Sequence, residues 1–415
     1  MAERKHASTS EAALSTPHSR PATPAHIVST DAEAIEIAKR LAADFVKSAP
    51  ERDRERRLPF QEIEAFSQSG LWGITIPKAY GGAEVSCVTL AEVVKIIASA
   101  DPSIAQIPQN HFSIVDLIRI SGTQEQRRYF FAEVLSGLRL GNAFSERKTK
   151  NVAELKTRLT TSDDYFVING TKFYSTGALF AHLVPVAALD EEGKLHVAMA
   201  DRNAPGLTVV DDWSSFGQRT TASGTVTFDD VRVPRGHVIQ AYRAFEAPTA
   251  NGPHAQLVHA AIDLGIAAAA IEETTSLVRT HARPWIDSGQ QRASEDLYTI
   301  AQIGDLNIRL RAAEALLARA GDYVDKAIAA PSENSVGAAS IAVAEAKVLS
   351  TELAILATNK LFELSGTSST LEGSGLDRHW RNARVHTLHD PVRWKYFAVG
   401  NFYLNGVLPQ RHPWI

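Results

Sequence analysis

Residues 157–178 read TRLTTSDDYFVINGTKFYSTGA. Polar and apolar side chains alternate along this stretch, which is the period of a strand with one buried face. Asn169-Gly170 stands between the two alternating arms, and that dipeptide predicts a two-residue hairpin turn. Four further short strand patterns follow with turn residues between them: HLVPVAALD (182–190), LHVAMADR (195–202), LTVVDDW (207–213) and GTVTFDDVRVP (224–234). A β module of about a hundred residues, 140–240, is expected from this run.

On both sides the period is helical. TDAE (30–33) is a capping box that opens an amphipathic helix with Ile35, Ala38, Leu41, Ala42 and Phe45 on one face. PFQEIEAFSQSG (59–70) ends at a glycine cap, and LWGITIPKAYGG (71–82) is a loop forced by Pro77, Gly81 and Gly82. Three more helical stretches bring this first module to residue 139, so 30–139 is expected to be mainly α. ERDRERR (51–57) is expected to be a solvated charge run. After residue 240 the spacing predicts long helices over 253–280, 293–327, 335–363 and 375–388. A last helix is expected from Pro391, with Asp390 as its N-cap, and then a short tail over 404–415. The fold class is therefore α+β, ordered as a helical domain (30–139), a β domain (140–240) and a helical bundle (241–415).

Composition narrows the function. The chain has 415 residues, 44% hydrophobic and 22% charged, with a net charge of −4. That is ordinary for a soluble globular protein and leaves no broad basic field for nucleic acid. One cysteine, Cys87, excludes an intrachain disulfide and a cysteine-based zinc site, and suits a reducing cytoplasm. Residues 1–29 are rich in Ala, Ser, Thr, Pro and His without an apolar core, which predicts a disordered tail and no signal peptide. The apolar run LVHAAIDLGIAAAAIEETT (257–275) is interrupted by Asp263, Glu272 and Glu273, so a buried helix is expected there and no membrane span. GxGxxG, GxxxxGK[ST] and GxSxG are all absent.

RNARVHTLHDPVRWK (381–395) concentrates His386, His389 and Asp390 within five residues. Three readings compete: a metal site, a polar helix corner and an acid/base site. A metal is disfavoured because Asp390 precedes Pro391 and leaves the helical face that two histidines three apart would share. The residues themselves do not rank the other two.

A resemblance does. PKAYGG (77–82), GNAFSE (141–146), YFVINGTKFYSTG (165–177) and FGQRTTASGTVTFDDVRVP (216–234) occur in the order and spacing of the acyl-CoA dehydrogenase superfamily, and the resemblance covers nearly the whole chain after Thr30. It implies an N-terminal helical domain, a middle β-barrel or sandwich domain and a C-terminal helical bundle, assembled as a homotetramer. The chemistry departs from the dehydrogenases. They remove a proton from an acyl thioester with a glutamate held at one of two places. One place here carries His389 and the other Ala255 and Gln256. The chain instead resembles the reduced-flavin-dependent monooxygenase branch, which includes dibenzothiophene monooxygenase and the sulfur-acquisition oxidoreductases of the SfnB type. QIPQNHF (106–112), DDWSSFGQRTTASGTV (211–226), ARPW (282–285), SEDLYTI (294–300) and WRNARVHTLHDP (380–391) carry that likeness.

This branch implies oxygenation of a small organosulfur compound with FMNH2 from a separate NAD(P)H-dependent flavin reductase. FMN is favoured over FAD because FELSGTSSTLEG (362–373) keeps little of the segment that holds the ADP half of FAD. On the same resemblance His389 is the candidate proton donor, His386 orients it or lines the pocket, and Asn142 faces the flavin or oxygen site. Ser145 and Thr176 bond the flavin edge, Tyr174 and Trp213 pack its ring or the substrate, and Arg283 reaches the phosphate from a neighbouring subunit. Gln106, Asn110 and His111 line the substrate side. Two alternatives stay open at this point: an FAD-dependent acyl-CoA dehydrogenase-like oxidoreductase, and a non-catalytic flavin-fold protein of sulfur metabolism.

Overall fold

Thr30 opens the first helix, α1 (Asp31–Phe45), by accepting the backbone N–H of Glu33 at 3.1 Å. The Glu33 carboxylate reaches back one residue further than a capping box requires, to the N–H of Ser29 at 2.8 Å. The structure, a computed structural model, describes residues 24–415. Residues 1–23 of the expected tail lie outside that range. Residues 24–29 are packed chain: Ala25 and Val28 are buried, and the N–H groups of Ala25 and His26 donate to Ser136 and Gln68 carbonyls.

Six more helices complete the first domain: α2 (Ala49–Glu55), α3 (Phe60–Gln68), α4 (Cys87–Ala100), α5 (Pro102–Gln106), α6 (Gln109–Ser121) and α7 (Gln124–Leu135). The charge run 51–57 is solvated as expected only at Glu51, Arg54 and Glu55. Arg52 on α2 is 0% exposed. Its guanidinium donates to Asp101 at 2.9 Å, Glu62 at 2.7 Å, Ser48 at 2.7 Å and the Phe45 carbonyl at 2.8 Å. Asp53 pairs with Arg381 and Arg56 with Asp211, so the same run ties the first domain to the other two. Charge periodicity does not distinguish a solvated face from one that meets opposite charge on another domain.

The middle domain is one seven-stranded sheet of order β5-β6-β2-β1-β3-β4-β7. Its strands are β1 (Arg158–Thr161), β2 (Tyr165–Lys172), β3 (Leu183–Leu189), β4 (Leu195–Asp201), β5 (Leu207–Val209), β6 (Val226–Pro234) and β7 (Val238–Ile239). The expected hairpin at Asn169-Gly170 is displaced. β1 and β2 are joined by the turn Ser162–Tyr165, closed by the Ser162 N–H on the Tyr165 carbonyl at 3.0 Å. Asn169 and Gly170 lie inside β2, at a bulge between the pairs Ile168↔Val231 and Gly170↔Phe228. The Asn169 side chain bridges this bulge through two 2.9 Å bonds to Asp230, whose φ is 51°. Glycine is required beside it: with φ 155°, a Cβ at Gly170 would come 2.4 Å from Thr157 Oγ1. Asn-Gly serves a bulge as well as a turn, and tertiary pairing decides between them.

The last domain contains α8 (Arg243–Glu246), α9 (Asn251–Thr280), α10 (Leu297–Ala329), α11 (Glu333–Ser365), α12 (Asp377–His386) and α13 (Arg393–Asn405). α9 packs against α11, α4 and α10, and its alanine-rich surface is buried almost all round. It is the one helix among the described residues long and apolar enough to cross a membrane, and 89% of that apolar window is buried in the fold. Asp390 does not cap α13 as expected. The helix begins at Arg393 after Val392, and the buried Asp390 carboxylate faces His389 and Lys395 instead. The expected tail also packs: Ile415 is buried, Gln256 donates to the Pro413 carbonyl, and Lys395 donates to that of Trp414.

Five of the buried histidines are displaced from their ordinary titration by the protein interior: His111, His254, His259, His379 and His386. Burial lowers the pKa of each, so all five are neutral in the folded chain at pH 7. Unfolding exposes them to protonation below about pH 6.5, where the unfolded chain binds more protons. Stability is then present above that pH and is lost as pH falls. Urea midpoints are expected to drop steeply from pH 7.5 to 5.5, with each histidine contributing up to about 1.4 kcal/mol per pH unit. A flat profile across this range contradicts the assignment. Arg52→Ala strands Asp101 and Glu62 beside an emptied site, and a loss of about 3–5 kcal/mol is expected by urea unfolding. A change within 0.5 kcal/mol, the size of a typical surface substitution, rules out a structural role.

Candidate active site

A cleft of about 700 Å³ opens between the β domain and the helical bundle. Eight of the residues singled out from the sequence line it together: Gln106, Asn142, Ser145, Tyr174, Thr176, Trp213, His386 and His389. They come from α5, the segment entering the sheet, the segment after β2, the loop after β5 and the end of α12 with the turn that follows.

The β-side wall is built from backbone held in unusual conformations. Tyr174, Gln218 and Ala222 all have φ of 49–60°, a region costly for residues other than glycine. Trp213 Nε1 and Thr221 Oγ1 both donate to the Gln218 carbonyl, at 2.8 and 3.0 Å. Thr176, Ser223 and Thr221 form a chain of buried hydroxyls with 2.7 Å links. Several polar atoms of cleft residues are buried without a partner in the chain: Asn142 Oδ1, Gln106 Oε1, and both amide atoms of Gln218. Buried polar atoms without partners are costly. A flat heterocycle whose edge alternates N–H and C=O groups fits this wall. Gln218 was not singled out from the sequence, since nothing in GQRTTASG (217–224) signals that its backbone turns the amide inward.

Glu146 is the one carboxylate among the described residues that line the cleft, and it is fully committed. It accepts from Lys172 Nζ at 2.7 Å, Thr157 Oγ1 at 2.8 Å and the N–H groups of Lys156 and Thr157 at 2.8 and 3.0 Å. Burial opposes its charge, but Lys172 and these donors hold its pKa down to about 2.

His389 stands in the opposite wall with its side chain 35% exposed. Its Nδ1 lies 3.3 Å from Asp390 Oδ1, which leaves Nε2 for the cleft. Burial opposes the charge of Asp390, but His389, Lys347 and Lys395 keep it well below the usual carboxylate range. His386 is deeper, and its nitrogens face Asp263 Oδ1 at 2.5 Å and His259 Nδ1 at 3.3 Å. The ring of His259 lies 3.8 Å from that of His389, centroid to centroid. Among the described residues no three His, Cys, Asp or Glu side chains converge as a metal ligand set. His259, Asp263, Lys347 and Trp414 escaped the sequence reading. Asp263 left one signal, a charge interrupting an apolar helix.

Three singled-out residues lie elsewhere. His111 does not line the substrate side as expected. Its Nε2 donates to the Trp72 carbonyl at 3.0 Å and its Nδ1 accepts the Leu140 N–H at 3.1 Å, a neutral tautomer fixed by both bonds. Asn110 donates to the Gly141 carbonyl at 2.9 Å. Both clamp α6 to the start of the β domain. Arg283 sits on the exposed loop after α9 and does not reach the cleft of its own chain.

The acyl-CoA dehydrogenase N-terminal, middle and C-terminal domain models match residues 30–138, 142–231 and 257–394. Dibenzothiophene monooxygenase of Rhodococcus erythropolis is 34% identical, covering 91% of this chain and 95% of the relative. A probable FMNH2-dependent monooxygenase, SfnC of Pseudomonas putida, is 32% identical over 91% of this chain and 96% of its own. The FMN-bound crystal structure of TdsC from Paenibacillus sp. A11-2 superposes with a TM-score of 0.88 at 32% identity, covering 92% of this chain and 100% of that one. The chain belongs to the acyl-CoA dehydrogenase superfamily, in its flavin-dependent monooxygenase branch.

Proposed function

We propose that this protein is the oxygenase of a two-component system. It takes FMNH2 from a separate NAD(P)H-dependent flavin reductase and oxygenates a small organosulfur compound in sulfur acquisition. The observation that carries this reading is His389 in a cleft wall without a free carboxylate. Acyl-CoA dehydrogenation needs a carboxylate base, and Glu146, the one cleft carboxylate among the described residues, is bound to Lys172 and two backbone N–H groups. Ala255 and Gln256 at the other possible position are buried within α9.

The wall that faces His389 supports FMN. Asn142, Gln218, Ser145 and Thr176 would bond the edge of the ring, and Tyr174 and Trp213 would flank it. Reduced flavin supplies the activation of dioxygen. The chain's own part is to position, to exclude water and to move one proton. Asp390 accepts the Nδ1 proton of His389, so Nε2 carries the transferable proton in the imidazolium form, whose charge the carboxylate balances. Gln106 and Trp414 bound the remaining space beside it.

Assembly as a homotetramer is supported by a band of exposed apolar side chains. Trp285, Ile286, Leu297, Tyr298 and Ile308 are each at least 70% exposed. Arg283 stands in the same loop, where a guanidinium can reach the cleft of a neighbouring copy and grip a phosphate. The unpaired, buried Cys87 agrees with a reducing cytoplasm.

With a reductase, NADH and FMN supplied, oxygen uptake and an oxygenated sulfur product are expected, and neither without the reductase. His389→Ala is expected to lose about 100-fold in kcat, the lower end of what general acid catalysis contributes. Wild-type turnover by that variant would remove His389 from the mechanism. Purified protein that is yellow with FAD and bleached by an acyl-CoA would replace the whole reading with a dehydrogenase.

A further inference from the structure

Behind His389 lies a buried polar chain that the proposed reaction does not by itself require. Asp263 on α9 is 0% exposed and satisfied on both oxygens. Its Oδ2 accepts from Lys347 Nζ and Thr351 Oγ1 of α11, each at 2.7 Å. Its Oδ1 faces His386 Nδ1 at 2.5 Å. A carboxylate accepts only, so His386 must carry its proton on Nδ1 and present a bare Nε2. That nitrogen lies 3.3 Å from His259 Nδ1, so His259 donates there. His259 is thereby held in one tautomer and one ring orientation. Its ring lies at 33° to that of His389 with a centroid distance of 3.8 Å. His259 and Asp263 are one helical turn apart on α9, so the floor under His389 and its anchor move as one body.

We propose that His259 is the positioning residue for His389: a neutral imidazole floor, locked through His386 by Asp263, that fixes the plane in which His389 offers Nε2 to the cleft. The proposal rests on the reading of His389 as proton donor. His389 is half free without this floor, since its remaining bond to Asp390 spans 3.3 Å. The chain ends inside the protein at Asp263, Lys347 and Thr351, so it transmits orientation and supplies no proton from solvent.

Two isolated properties of His259 can be separated. His259→Phe keeps a flat ring and loses the bond to His386. His259→Asn places an amide N–H near the position of Nδ1 and loses the ring. Other groups bearing on His389 are left in place: His386, Lys347, Asp390 and Lys395 from the bundle, and Glu146, Arg147 and Lys148 across the cleft.

The first readout needs neither flavin nor turnover. Diethylpyrocarbonate labels neutral imidazole, and its rate at His389 is followed by peptide mass spectrometry from about pH 5.5 to 8. His259→Asn and His259→Ala, which lose the ring, and His259→Phe, which loses the lock, are each expected to change the labelling rate of His389 about threefold or more across that range. The second readout is steady-state turnover with the reductase. All three variants are expected to lose about tenfold or more in kcat with KM within twofold, as misplacement of a catalytic group predicts. Labelling profiles of Asn and Phe that both match wild type overturn the proposal, whatever the turnover. Altered labelling rates in a protein that never oxygenates leave the positioning role standing and remove the proposed function instead. Should the Ala variant fail to fold, the Asn and Phe pair decides.

Discussion

The buried pair of Asp263 and Lys347 is the constraint on which the bundle depends. Both side chains are at most 1% exposed, in the middle of two packed helices of 30 and 33 residues. Taking two charges out of water costs several kcal/mol each unless geometry and further hydrogen bonds offset it. Here the offset is complete at the carboxylate, which also accepts from Thr351 and His386. Burial opposes the charge on Asp263, yet Lys347 and His386 hold its pKa down to about 2. A slip of α9 against α11 by one turn would leave a bare charge in the core. The pair therefore sets helix register, and through His386 it also places the end of α12.

α12 passes that order on to the β domain. Arg381 donates to the Phe216 carbonyl at 2.8 Å and pairs with Asp53 of α2 at 2.5 Å. Asn382 Oδ1 accepts the Gln218 N–H at 2.7 Å. Gly217 sits so close to this helix that a Cβ would come 2.0 Å from the Arg381 carbonyl. The strained loop that forms one cleft wall is thus docked on the helix that carries the other. Backbone strain at Gln218 persists because Asn382 of the bundle and Trp213 and Thr221 of the β domain hold its main chain on both sides.

The departures from local expectation share a cause: ERDRERR, Asn169-Gly170, Asp390 and His111 each meet a partner that the local pattern does not include. Arg52 meets Asp101, which is 49 residues away. Asn169 meets Asp230 across a bulge, Asp390 meets Lys395, and His111 meets Leu140. Local patterns report propensity for a turn, a cap or a solvated face. They carry no information about a partner brought in from elsewhere in the chain.

Period and composition were enough for the order helical, β, helical, because burying one face of a helix or strand leaves a repeat that survives in any context. Short motifs were enough to single out His389, Asn142, Thr176 and Trp213, which the fold brings to one cleft, because each motif keeps its residue types together in one short stretch. The tertiary structure alone decided that the histidines act in a stack and a hydrogen-bonded chain. His259 and His386 are 127 residues apart, and Asp263 and Lys347 are 84 apart. A single charge in an apolar helix shows that something must pair with it. Which group does so depends on how three helices pack, and no local spacing encodes that.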